Sequence, residues 1–272
     1  MGQCYGPGPA GGSIVGPAGT LPGVVPEQAR DGAPSRAGIG RPPEDRPKPW
    51  GMGDAAVGTL LTFLVPLLVG GTALAIADAD VDDIPLWAVA LLQVPLWAGL
   101  LGAPLYASYR KGRRSLAGDF GLRFRALDVP LGLAAGVAGQ VVLVLVLSVV
   151  YDLLGVDAEK VGQTAEELTD GAEGVLDVVL LVLIVGLAAP VFEELFYRGL
   201  WLRAIERRAG TKLAVAGSSV LFGVIHLQVY DLLALVGFGL LAALLTVRTG
   251  RLGPAIWAHV AFNLTAVIGL LA

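Results

Sequence analysis

Downstream of residue 50 the chain alternates between long apolar runs and short charged ones. Residues 55–77, 84–106 and 129–154 are each long enough to cross about 30 Å of hydrocarbon as a helix. A fourth run, from 175 to about 208, spans 34 residues and holds two adjacent carboxylates, Glu193 and Glu194, in its interior. Pro190 lies one turn before them, where its missing N–H predicts a kink. Residues 213–227 and 232–247 are shorter, at ~23 Å each by helical rise. They predict a tight hairpin whose turn, 228–231, is shielded by protein, because exposed backbone is costly in lipid. Residues 252–271 close the series. The count is seven spans, with six or eight left open by the broken fourth run and the short hairpin.

Composition agrees with that pattern. Of 272 residues, 55% are apolar and 15% charged, against about 25% charged in an average soluble domain. The mean hydropathy is +0.71. The fold class expected is therefore an all-α polytopic membrane protein. Residues 1–50 differ: they hold 11 Gly and 10 Pro without helical or alternating order, a composition that reads as a disordered tail ahead of a transmembrane domain, 51–272. The arginines of the tail are balanced by Glu27, Asp31, Glu44 and Asp45, which argues against a nucleic-acid arm. Pro47-Lys48-Pro49-Trp50 ends the tail as an expected interfacial anchor. The single cysteine, Cys4, excludes an intramolecular disulfide or a thiolate metal cluster.

Basic residues set an expected orientation. Of 19 Lys and Arg, five lie in the tail, six at 110–125, five at 198–212 and two at Arg248 and Arg251. Lys160 alone falls on the opposite side, among the acidic loops 78–83 and 157–173. The positive-inside rule then places the tail and the basic loops in the cytoplasm, in a multi-pass protein of the cytoplasmic membrane. There is no internal repeat of the sort that marks transporters built from duplicated halves.

Charged and amide side chains inside apolar runs are the candidate chemistry, since a charge at bilayer depth costs at least a few kcal/mol. Glu194 has Arg198 four residues on, on its own helix face, where the two can neutralise each other. Glu193 has no such partner within a turn and is free for chemistry. The only two histidines, His226 and His259, also lie in apolar runs. Phe222 is one turn before His226, and Asn263 shares a face with His259. Taking Arg207, Lys212 and Arg251 as boundary markers, Glu193 and His226 each sit ~21 Å deep, His259 ~12 Å and Asn263 ~18 Å. The four can occupy one layer. Simpler readings stay open: intramembrane His or Asn often bond helix to helix, and an acid–base ladder also suits a proton-coupled transporter.

Glu193-Glu194…Arg198, Phe222…His226 and His259…Asn263, on successive helices, together resemble the CPBP family over residues 174–272. That family comprises type II CAAX prenyl proteases and bacteriocin-processing or Abi-type membrane proteins, including the lysostaphin-resistance protein A group. The resemblance implies an intramembrane endopeptidase with a polar cavity open to the cytoplasm. Glu193 would be the general base that activates water, and His226 would hold that water with it. His259 and Asn263 would stabilise the oxyanion, with Glu194, Arg198 and Phe222 in support. A glutamate in a low-dielectric cavity suits proton transfer, and donors fixed in a dry site suit an oxyanion.

Glu193, His226 and His259 also form a His₂Glu set that could bind zinc. The metal-free version is preferred, because no His-Glu-x-x-His helix is present and a neutral amide such as Asn263 suits an oxyanion better than Zn²⁺. The substrate expected is a peptide or membrane protein, prenylated or not, met within the lipid bilayer. The alternative function is a non-catalytic immunity or regulatory protein that binds a peptide in the same cavity.

Overall fold

The computed structural model describes residues 49–78, 84–157, 160–172 and 174–271. The proposed tail and most of the acidic loop at 78–83 lie outside the described residues. Nine helices follow in chain order among those described: α1 (Met52–Ala77), α2 (Leu86–Tyr106), α3 (Leu116–Asp119), α4 (Asp128–Leu154), α5 (Gln163–Asp170), α6 (Val175–Ala209), α7 (Thr211–Ile225), α8 (Leu232–Thr249) and α9 (Gly253–Leu271). Six of them are long and apolar enough to cross a membrane: α1, α4, α6, α8, α9, and α2 with its π-helical extension to Lys111. The seventh expected span is α7, whose 15 residues fall short of that length.

Apolar residues cover these helices all round, as expected where lipid rather than water surrounds them. Leu60, Leu67, Leu127 and Leu145 point outward and are all more than 60% exposed. Helices with no water-driven reason to associate meet where side chains are small. On α4, Gly132 and Gly136 stand one turn apart, and a Cβ at either would run into the backbone of α9 around Ala258. Gly239 of α8 lies against Ser219 of α7 in the same manner. The buried core formed between these helices includes Phe196, Tyr197, Leu200, Phe222, Phe238, Ile256 and Val260.

Ion pairs fasten the ends. Arg251, in the turn before α9, binds the buried Asp128 at 2.6 Å, and Lys111 binds Asp54 of α1 at 2.6 Å. Trp50 departs from the expected interfacial anchor. It is 2% exposed, packs on Phe120 at 4.8 Å and carries the Arg207 guanidinium 3.5 Å above its ring. Arg207 also donates to the Trp50 carbonyl at 3.0 Å. The indole thus serves as a packing partner for the basic end of α6. The turn after α7 also differs from the shielded hairpin expected. Leu227 and Val229 are 86% and 78% exposed, while polar bonds fix the loop from behind: Tyr151 Oη donates to Tyr230 O, and Gly162 N to the Asp231 carboxylate.

Candidate active site

The site is built on α6, whose course is set by Pro190. The helix widens to a π-helix over Val182–Ala188, and the Ala189 N–H reaches Ile184 O, five residues back. In that register the next donor, for Val185 O, would be residue 190, and proline has no N–H. A buried carbonyl without a partner is costly. Asn263 of α9 supplies the missing bond, its Nδ2 donating to Val185 O at 2.8 Å. A second π-segment, Leu195–Trp201, begins immediately after Glu194. Such segments often mark functional positions, because they change where successive side chains point.

Glu193 and Glu194 diverge as neighbours on a helix must. Glu194 is completely buried; its Oε1 lies 3.1 Å from Arg198 Nη1 and 2.9 Å from His259 Nδ1. Arg198 is equally buried and donates from Nη2 to Gly239 O at 3.2 Å. Its guanidinium lies over the Phe222 ring at 4.2 Å and the Phe238 ring at 5.8 Å. The charge pair is therefore held by ring faces as well as by its own attraction, and neither side chain reaches the surface.

Glu193 faces the other way. Its Oε2 lies 3.9 Å from His226 Nε2 and 3.9 Å from His259 Nε2. Both rings are fixed from behind. His226 Nδ1 lies 2.6 Å from Phe222 O, an atom that can only accept, so Nδ1 carries the hydrogen. His259 Nδ1 meets the Glu194 carboxylate and carries a hydrogen by the same argument. A neutral imidazole in either place then presents an Nε2 lone pair to Glu193. Two carboxylates stand beside one fixed cation, so charge balance in this buried layer calls for one more positive charge: a proton shared between Glu193 and the rings, or a cation.

The four residues singled out in the sequence are thus brought into one cluster in three cases of four. Glu193, His226 and His259 converge, while the Asn263 amide turns to the α6 backbone with one of its two N–H groups. Phe222 lies 4.7 Å from the His226 ring and 5.7 Å from that of His259, walling the site on one side. Phe196, Tyr197, Phe222 and Phe238, all at most 2% exposed, pack on one another beside the site. Glu193 and His226 keep 17% and 24% of their side chains exposed. Sequence reasoning passed over Tyr197, although its spacing of four from Glu193 was a usable signal. Phe238 and the Gly239 carbonyl carried no signal, since both sit in an unbroken apolar run.

The donor types of Glu193, His226 and His259 suit zinc, and rings held from behind at Nδ1 are the usual support for such a site. Their spacing is wider than zinc needs, because bonds of about 2.0–2.1 Å at a tetrahedral centre put donor atoms ~3.3 Å apart. Among the described residues no three His, Cys, Asp or Glu stand where they could hold a metal ion together.

Comparison with known proteins places this core. Residues 175–265 match the model of the family described as Type II CAAX prenyl endopeptidase Rce1-like. That stretch contains all three motifs, so the likeness to CPBP proteins drawn from them is shown for this part of the chain. Over 104 residues the chain is 29% identical to the Bacillus subtilis (strain 168) protein named "Putative membrane peptidase YdiL". The match covers 37% of this chain and 43% of that protein, less than half of either. No solved structure matches the chain.

Proposed function

We propose that this chain is an intramembrane endopeptidase that hydrolyses a peptide bond of a membrane-associated protein or peptide. The observation that carries the reading is the convergence of two imidazole Nε2 atoms, from separate helices, on one oxygen of Glu193, each at 3.9 Å. A water ~2.8 Å from that oxygen and from a ring nitrogen fits between them at hydrogen-bonding distance. Glu193 takes the proton of that water as its oxygen attacks the peptide carbonyl, and His226 holds the water through Nε2. His259, when it carries the site's extra proton on Nε2, donates to the oxyanion, with Glu194 behind it supporting the charge. The second N–H of Asn263 is the other donor in this scheme. The match to a prenyl endopeptidase family and the name of the Bacillus relative support the reaction class. In the membrane, the N-terminus and the basic loops face the cytoplasm.

The test compares membrane-peptide fragments from cells carrying wild type and Glu193→Gln, followed by cleavage with purified protein in detergent. Fragments that need Glu193 are expected. Undiminished cleavage by Glu193→Gln sinks the glutamate-base reading. If Glu193→Ala, His226→Ala and His259→Ala all rescue a deletion phenotype as well as wild type, the chain binds peptide rather than cutting it. A zinc-dependent version has one observation in its favour, the two Nδ1 hydrogen bonds that leave both Nε2 lone pairs facing a carboxylate. It predicts loss of cleavage with 1,10-phenanthroline and recovery with Zn²⁺; the metal-free reading predicts neither.

A further inference from the structure

The donors assigned to the oxyanion so far are His259, when its Nε2 is protonated, and the second N–H of Asn263. His226 and His259 each commit their Nδ1 hydrogen, to Phe222 O and to Glu194, and Asn263 commits one of its two N–H groups to Val185 O. In their neutral forms the two Nε2 atoms are acceptors, not donors. Tyr197 carries another donor beside the site, and it is uncommitted. Tyr197 follows Glu193 by four residues, within the second π-segment of α6, and is 2% exposed. Its ring meets Phe196 at 5.2 Å and Phe222 at 5.3 Å, both edge-on. Phe222 is the ring that walls both imidazoles. The Tyr197 hydroxyl has Glu193 and Arg198 as electrostatic neighbours, and it makes no hydrogen bond to any described residue. Tyrosine hydroxyls in packed surroundings ordinarily find a partner.

We infer that Tyr197 is a further catalytic residue, its phenolic O–H donating to the substrate carbonyl oxygen as that oxygen becomes an oxyanion. The inference rests on the peptidase reading. In the step, Glu193 removes a proton from water and the water oxygen bonds to the carbonyl carbon. The carbonyl π pair moves onto oxygen, where the Tyr197 O–H hydrogen-bonds it without giving up its proton. On collapse the pair returns, the C–N bond breaks, and Glu193 hands its proton to the leaving nitrogen. Phe196 and Phe222, edge-on against its ring, hold the phenol before substrate arrives, so no reorganisation is needed as charge develops.

Tyr197→Phe removes the donor and keeps the ring contacts. The probe is a quenched fluorescent peptide, selected from a library because wild type cleaves it and Glu193→Gln does not. With it, Tyr197→Phe is expected to lower kcat by about 10²- to 10³-fold, the range for loss of one oxyanion donor, with KM and thermal stability near wild type. A kcat within twofold of wild type overturns the inference while Glu193→Gln stays inactive and the peptidase reading stands. If no peptide separates wild type from Glu193→Gln, the peptidase reading fails and this inference fails with it. Should Tyr197→Phe not fold, 3-fluorotyrosine at position 197 keeps ring and hydroxyl but alters donor strength. An unchanged rate with that side chain also overturns the proposal.

Discussion

Replacing Glu194 by Gln removes the one carboxylate that Arg198 touches among the described residues, while changing shape hardly at all. Glu194 Oε1 serves both Arg198, at 3.1 Å, and His259, at 2.9 Å, and neither Glu194 nor Arg198 has any exposed surface. The Gln carbonyl can still accept from His259, so the ring stays oriented, but the guanidinium becomes an unpaired buried charge. A lost buried hydrogen bond or charge partner costs on the order of 1–3 kcal/mol, and breaking a buried ion pair about 3–5 kcal/mol. Cation–π contact with Phe222 and the bond to Gly239 O persist, which favours the lower part of that span. About 2–3 kcal/mol is expected, or roughly 4–12 °C in Tm at about 2–4 °C per kcal/mol for a domain of this size. Glu194→Gln/Arg198→Met should recover part of the loss, because both charges are gone. Glu193→Gln should show the reverse pattern: no cleavage, with stability unchanged or raised, since a carboxylate leaves a dry site. Thermal unfolding in detergent and cleavage rates for the four proteins make the comparison. A stable but inactive Glu194→Gln beside an unstable but active Glu193→Gln would refute the reasoning and move the base to Glu194.

Asn263→Ala frees the Val185 carbonyl and should cost about 1–3 kcal/mol; Pro190→Ala, which restores an N–H at position 190, should recover part of that loss, and an unaltered Tm in Asn263→Ala would show the bond to be idle. Gly136→Ala forces a methyl group against the α9 backbone and should destabilise by about 1–3 kcal/mol, whereas Gly71→Ala, with nothing within 4 Å of the new carbon, should leave Tm unchanged. Trp50→Leu removes the ring beneath Arg207 and should cost about 0.5–2 kcal/mol as a lost cation–π contact, read as a lower unfolding temperature.

Features that depend only on helix geometry within one segment were legible in the sequence. Apolar runs with buried charges fixed the class, and a spacing of four put Arg198 beside Glu194 and Asn263 on the face of His259, because 3.6 residues make a turn whatever surrounds the helix. Contacts between helices were not legible. That Glu194 also holds His259 depends on how closely α6 and α9 approach. Asn263 faces Val185 only because a π-segment and Pro190 together leave that carbonyl free, and a π-turn breaks the regular phase from which depth and facing were reckoned. Trp50 carried the pattern of an interfacial residue, yet Arg207, more than 150 positions away in the chain, draws it into the core. Local periodicity chose the faces; close approach at small residues such as Gly136 and Gly239, which no periodicity encodes, decided which faces meet.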